Sequence, residues 1–169
     1  ENRKDEGLAQ NLSIAANTTL SAIRKTSRLG FLQLEEEKAT ADRLAKKLDI
    51  RCANTSQPVS ALSGGNQQKV ALARMIHHDS DIFFMDEPTR GIDVGSKHEI
   101  YELIHSMAAG GKSIIVVSSY LPELLGICHN IAVMHRGSLS KKRPAEEWSE
   151  QEILLFATTG KHQPSFVAQ

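Results

Sequence analysis

The chain predicts an α/β fold built on parallel strands, with a helical subdomain ahead of it. Two short apolar runs, "IFFM" at 82–85 and "IIVV" at 114–117, are the kind that parallel sheets bury, and a segment of helical periodicity separates them. The first third of the chain carries helical patterns and no comparable run, which sets it apart as its own unit, 1–80 against 81–169.

Taken in order, "LSIAANTTLSAI" at 12–23 predicts a short helix. The stretch "EEEKATADRLAKKLDI" at 35–50 predicts a stronger one, with Ala41, Leu44, Ala45 and Leu48 on one face and Glu35, Glu36 and Glu37 in the first turn, where the helix dipole favours negative charge. Asn54, Ser56 and Pro58 break the next segment into a loop, and Ser63 opens a third helix that ends at His77-His78-Asp79, where cations suit the dipole. Ile82–Met85 then reads as a buried strand and Lys97–Ala109 as a helix, with Ile100, Leu103, Ile104 and Met107 inward and Gly110-Gly111 as its stop. "SIIVVSS" reads as a second buried strand, "LPELLGI" as a short helix and "IAVMH" as a third strand. Arg136-Gly137 turns the chain into a last helix within "PAEEWSEQEILLFA", capped near Pro144 and packed onto the core by Trp148, the single tryptophan.

Composition narrows the function. Lys+Arg and Asp+Glu number 20 each, so the formal charge is zero and no broad basic field exists to attract nucleic acid or anionic lipid. Cys52 and Cys128 lie far apart without a CxxC spacing and read as reduced packing residues. No run approaches the roughly 20 apolar residues that cross a bilayer, so a membrane role would come through a partner. The charged start "ENRKDEGL" has no initiator methionine, and the chain reads as a processed or truncated piece.

One tempting motif fails. Gly111-Lys112-Ser113 matches the end of the phosphate loop GxxxxGK[ST], but Ser106 stands where the first glycine belongs. A phosphate loop also joins a strand to a following helix, whereas here a helix precedes and a strand follows. The segment reads as a helix end entering a strand.

The chemistry sits elsewhere. In "LSGGNQQ" at 62–68, Ser63 offers a hydroxyl, Gly64 and Gly65 let a ligand approach the backbone, and a helix N-terminus adds partial positive charge. Alone, that stretch fits an ordinary serine N-cap and turn equally well. In "IFFMDEPTRGID" a strand delivers Asp86 and Glu87 at its C-terminal end, the place where parallel sheets hold ligands. Adjacent strand residues point opposite ways, so the two acids suit different tasks: Asp86 a magnesium shell, Glu87 the polarising of an attacking water.

Together, "LSGGNQQKVALAR" and "DIFFMDEPTRGIDVGSK" resemble the signature and Walker B motifs of ATP-binding cassette transport ATPases, and "VVSSYLPELLGICHNIAVMHRGSLS" resembles the switch region and the strand after it. Asn66 and "PTRGIDVG" make the likeness strongest to the second cassette of ATPases that import ribose and related sugars. The resemblance implies part of a P-loop NTPase core with a helical signature subdomain, with ATP and Mg2+ as cofactors. It implies that Leu62, Ser63, Gly64, Gly65, Asn66 and Gln67 face the γ-phosphate of an ATP held by a partner cassette, with Asp93 as the aspartate that crosses the interface. By itself Asp93 also reads as a turn residue before Gly95.

Two departures stand out. The likeness starts after the family's Walker A and glutamine loops, and Ser119 follows Ser118 where the family places its switch histidine. A serine supplies no imidazole contact, so ATP hydrolysis by this chain alone is left open. The implied partners are a second cassette, transmembrane permease subunits and, indirectly, a periplasmic sugar-binding protein, at the cytoplasmic face of the inner membrane and without nucleic acid. The rival readings are a catalytically silent cassette remnant and a soluble cassette ATPase acting on DNA or ribosomes; neutral charge and "PTRGID" weigh against the latter. His98, Glu102 and His105 share a helix face but read as a solvated surface rather than a metal site. Lys141-Lys142-Arg143 reads as a solvated turn.

Overall fold

A computed structural model describes residues 7–161, which form two compact units joined between Val117 and Ser118. The expected division at 80/81 falls inside the first unit, in the turn between its third helix and the following strand.

In the first unit, α1 (Ile14–Thr19) starts at Ser13, whose hydroxyl accepts from Ala16 N–H at 3.0 Å. The next orphan amides find partners across space, Ile14 on Gln57 O and Ala15 on Thr55 O. A 3-10 segment, Leu20–Thr26, leads into the hairpin β1 (Ser27–Arg28) and β2 (Phe31–Leu32). Its two-residue turn holds Leu29 at φ 51 and Gly30 at φ 85, both left-handed, as a turn matched to strand twist requires.

Helix α2 (Leu34–Lys47) buries Ala41, Leu44 and Ala45, with Leu48 just beyond, on the stripe the periodicity predicts. Of the three first-turn glutamates, Glu37 is not a surface charge: it is buried and accepts from Thr19 Oγ1 at 2.9 Å, tying α2 to α1. Helix α3 (Gly64–His78) packs on both, and Ile14, Leu44, Val59, Val70 and Ala73 form the centre of this core. The cation at the end of α3 differs from the expected one. Burial pushes the His77 imidazole below its usual range, and Lys25 instead donates to the terminal carbonyls of His77 (2.9 Å) and His78 (3.1 Å).

Strands β3 (Ile82–Asp86) and β4 (Ser113–Val117) pair in parallel, from Ile82 opposite Ser113 to Asp86 opposite Val117, with α4 (Val94–Ala109) as the crossover. The helix starts three residues earlier than its apolar spacing suggests, because Asp93 caps it. Gly110 and Gly111 end it as expected, and Lys112 bridges Asp79 (3.1 Å) and Asp81 (3.2 Å).

The two strands are not buried on both faces. Phe83 and Met85 point inward, whereas Ile82, Phe84, Ile115 and Val117 are 59%, 72%, 46% and 58% exposed. Their unbroken apolar runs imply a layer on each face, and among the described residues only one face is covered.

The second unit contains α5 (Leu121–Ile127), β5 (Asn130–Ile131), β6 (Met134–His135), β7 (Ser138–Leu139), β8 (Arg143–Pro144) and α6 (Glu150–Thr159). "IAVMH" is therefore not a third parallel strand: it breaks into β5, antiparallel to β8, and β6, antiparallel to β7. The left-handed pair Arg136 (φ 42) and Gly137 (φ 83) reverses the chain at once, which forces antiparallel pairing. Val133 is held at the break, where its N–H donates to Ser140 Oγ at 2.9 Å and its carbonyl accepts from Ser140 N–H at 2.8 Å.

The last helix is capped by Ser149 rather than near Pro144, in a reciprocal box with Glu152. Trp148 does pack the core of this unit, with Ile131, Val133, Ile153 and Phe156, and its Nε1 donates to Ile131 O at 3.1 Å. Arg143, expected in a solvated turn, stacks 3.6 Å from the Trp148 ring centre. Cys52 and Cys128 are free thiols packed at the edges of the two cores, and burial pushes both upward in pKa.

Candidate functional site

Helix α3 begins in an exposed turn. Ser63 is its N-cap, and its hydroxyl receives Asn66 N–H (3.5 Å) and Asn66 Nδ2 (2.9 Å). The Asn66 carbonyl oxygen in turn accepts from Arg51 N–H at 2.8 Å, so the loop after α2 steadies the turn. Leu62 is buried, and Gln67 folds inward to donate to Leu62 O at 3.2 Å. What this stretch leaves outward is Ser63 at the start of α3, where a helix N-terminus gathers N–H groups and the positive end of the dipole, a setting that suits an anion.

Gly65 is required by packing. A Cβ there would stand 2.7 Å from Ser96 Cβ and 2.6 Å from Ser96 Oγ, so the start of α3 rests directly on the first turn of α4. Ser96 N–H donates to the Asp93 carboxylate at 3.0 Å, a bond that holds this carboxyl below its ordinary pKa and keeps it anionic. Ser63 and Asp93 are thus N-caps of two adjoining helices.

Asp86 closes β3 on its exposed face. Glu87 leaves the strand at φ 45 while its N–H still donates to Val117 O at 2.8 Å, adding one rung past the ladder. A non-glycine residue held there stores strain of order 1–3 kcal/mol, a cost found most often where a side chain must be aimed. Two turns, Arg90 N–H to Glu87 O (3.1 Å) and Ile92 N–H to Thr89 O (3.3 Å), then carry the chain over buried Pro88 and Thr89 to Asp93.

The fold brings Leu62–Gln67 and Asp93 together, and a compact double turn joins Asp93 to Asp86 and Glu87. Ser119 lies in the second unit, exposed ahead of α5. One exposed carboxylate at a strand end fits magnesium, which takes one or two carboxylates and completes its shell with phosphate and water.

Sequence reasoning missed Lys69 and Glu99. Lys69 is 2% exposed within α3, and its ammonium lies 2.8 Å from Glu99 Oε2 and 2.8 Å from Asp49 O. The signal was available: Lys69 shares the inward stripe of Leu72, Ala73 and Ile76, where a cation needs a partner.

The ABC transporter family pattern matches residues 2–90. The ribose import ATP-binding protein RbsA of Ruegeria sp. (strain TM1040) is 44% identical over 159 residues, which is 94% of this chain and 31% of that protein. Its namesake in Oceanobacillus iheyensis is 44% identical over 160 residues, 95% of this chain and 32% of that protein. The chain thus spans about a third of the length of these relatives. A solved ATP-binding cassette, in a dimeric post-hydrolysis state bound to ADP and phosphate, superposes with TM-score 0.68 at 24% identity, over 83% of this chain and 60% of that one. That likeness establishes the α/β cassette fold, in part. By the family pattern that covers more than half of its length, this chain belongs to the ABC transporter family.

Proposed function

We propose that the chain supplies the signature side of an ATP site in a sugar importer of the ribose type. The observation that carries this reading is the contact between two helix N-termini, one capped by Ser63 and the other by Asp93, at one edge of the first unit. Ser63 and the amides of Gly64 and Gly65 receive the γ-phosphate of an ATP held in a partner's phosphate loop. Leu62, Asn66 and Gln67 shape the turn from behind, through the inward bonds that they make. Asp86 joins the Mg2+ shell through water, Glu87 polarises the attacking water, and Asp93 reaches across the interface. Ser119 stands in the switch position.

The division into a signature subdomain (1–80) and a core part (81–169) assigns the nucleotide-closing surface to the first and the carboxylates to the second. The partners are a second cassette and transmembrane permease subunits, with a periplasmic sugar-binding protein acting through them and no nucleic acid. Such an assembly sits at the cytoplasmic face of the inner membrane, held there by its permease. Among the described residues no helix is long and apolar enough to cross a membrane.

The test is magnesium-dependent ATP hydrolysis by a complete cassette partner, with and without this chain. Stimulation that Ser63→Arg abolishes supports the reading. No stimulation by a folded wild-type chain overturns it in favour of a silent cassette remnant.

A further inference from the structure

We infer that Lys69 and Glu99 are positioning residues that hold the Ser63 turn and the Asp93 cap as one rigid edge, an inference that rests on the reading of this edge as nucleotide-facing. Two routes link these residues to the caps. Through α3 and α4, the buried Lys69 ammonium grips Glu99 at 2.8 Å, while a second bond of 2.8 Å fastens it to Asp49 O at the exit of α2. Through the loop after α2, Arg51 reaches Glu99 at 3.5 Å with its guanidinium and holds the Asn66 side chain at 2.8 Å with its N–H, and Asn66 bonds Ser63.

The circuit closes at the helix starts, where Gly65 abuts Ser96 and Ser96 is bonded by Asp93. Glu99 therefore lies one turn along α4 from Asp93's contact and touches two cations, each of which leads back to the signature turn. A buried ammonium is costly without its partner, so α3 cannot slide along α4 without breaking the pair. A phosphate gripped by Ser63 thereby fixes the position of Asp93 as well.

The experiment combines hydrogen exchange with partner-stimulated ATP hydrolysis, on the wild-type chain and on Lys69→Met, Lys69→Arg and Glu99→Gln. In Lys69→Met the amides of Asn66 and Ser96 are expected to lose protection together, while those of α2 and α6 keep theirs. Stimulated kcat falls about tenfold at unchanged KM for ATP, which the partner's phosphate loop sets, and Lys69→Arg restores most of it. Should Lys69→Met fail to fold, Glu99→Gln, altered at a half-exposed side chain, gives the same comparison.

Unchanged protection at Asn66 and Ser96 overturns the inference, as does a loss spread evenly over the first unit, which marks a purely structural pair. Joint loss at the two caps in a chain whose wild type stimulates nothing supports the coupling and overturns the functional reading of the edge.

Discussion

Gly65 and Ser96 are packed so closely that a single added methyl on the glycine would stand 2.7 Å from Ser96 Cβ. The contact joins the first turns of two helices, so relief requires one helix to move. Gly65→Ala is expected to destabilise the chain by about 1–3 kcal/mol, as overpacking does. Ser96→Gly in the same chain removes the opposing Cβ and is expected to recover part of that loss. Chemical denaturation of both single variants and the double variant measures the coupling, and strict additivity would contradict it.

The faces of β3 make a second comparison. Phe83 is buried and Phe84 is 72% exposed, although the two are adjacent and identical. Phe83→Ala is expected to cost about 3–5 kcal/mol, as large-to-small core changes do. Phe84→Ser should leave the unfolding midpoint nearly unchanged, and equal losses would mean that both faces are packed.

A pH response follows from His77. Burial holds its imidazole neutral, and Lys25, Arg43 and His78 add to the cost of charging it. The unfolded chain then binds a proton more readily than the folded one below the ordinary imidazole pKa of about 6.5. Stability is complete above that value and is lost as pH falls through it toward the lower folded value. Melting temperatures between pH 7.5 and 5.5 are expected to decline in the wild type and to decline less steeply in His77→Gln.

In the second unit, Ser149 and Glu152 exchange bonds at the start of α6. Ser149→Ala is expected to cost about 1 kcal/mol, read as increased amide exchange over the first turn of α6. No change there would mean that Trp148 packing alone fixes the helix start.

Much of this was legible in the chain. The stripe of Ala41, Leu44 and Ala45, the cap at Ser63 and the turn at Arg136-Gly137 follow from local rules, because neighbours in sequence supply the bonds. The aligned pair of β3 and β4 was also legible from apolar runs around a periodic segment. What was not legible depends on partners far along the chain. The burial of Glu37 needs Thr19, and the role of Lys25 needs the end of α3, 52 residues away. "IAVMH" misled because an apolar run does not say which neighbour it pairs with, and Ser140 decides that from seven residues on. Asp86, Glu87 and Ser63 were picked out by residue type and place in the chain, and Asp93 by the family resemblance. The packing of Gly65 on Ser96 was not, since a glycine in a motif looks the same whether a ligand or a neighbouring helix requires it.

The hairpin of β1 and β2 carries a practical consequence. Its tip, Leu29, is 92% exposed, and the segments on either side are held by contacts that do not pass through it: α1 packs on α2 and Thr19 bonds Glu37. Exposed tips of this kind accept cleavage and inserted sequence with little disturbance of the fold. The tip is thus the natural place to graft an epitope or a fluorophore-binding peptide, and an insertion between Leu29 and Gly30 leaves the Ser63 and Asp93 caps on uninterrupted chain.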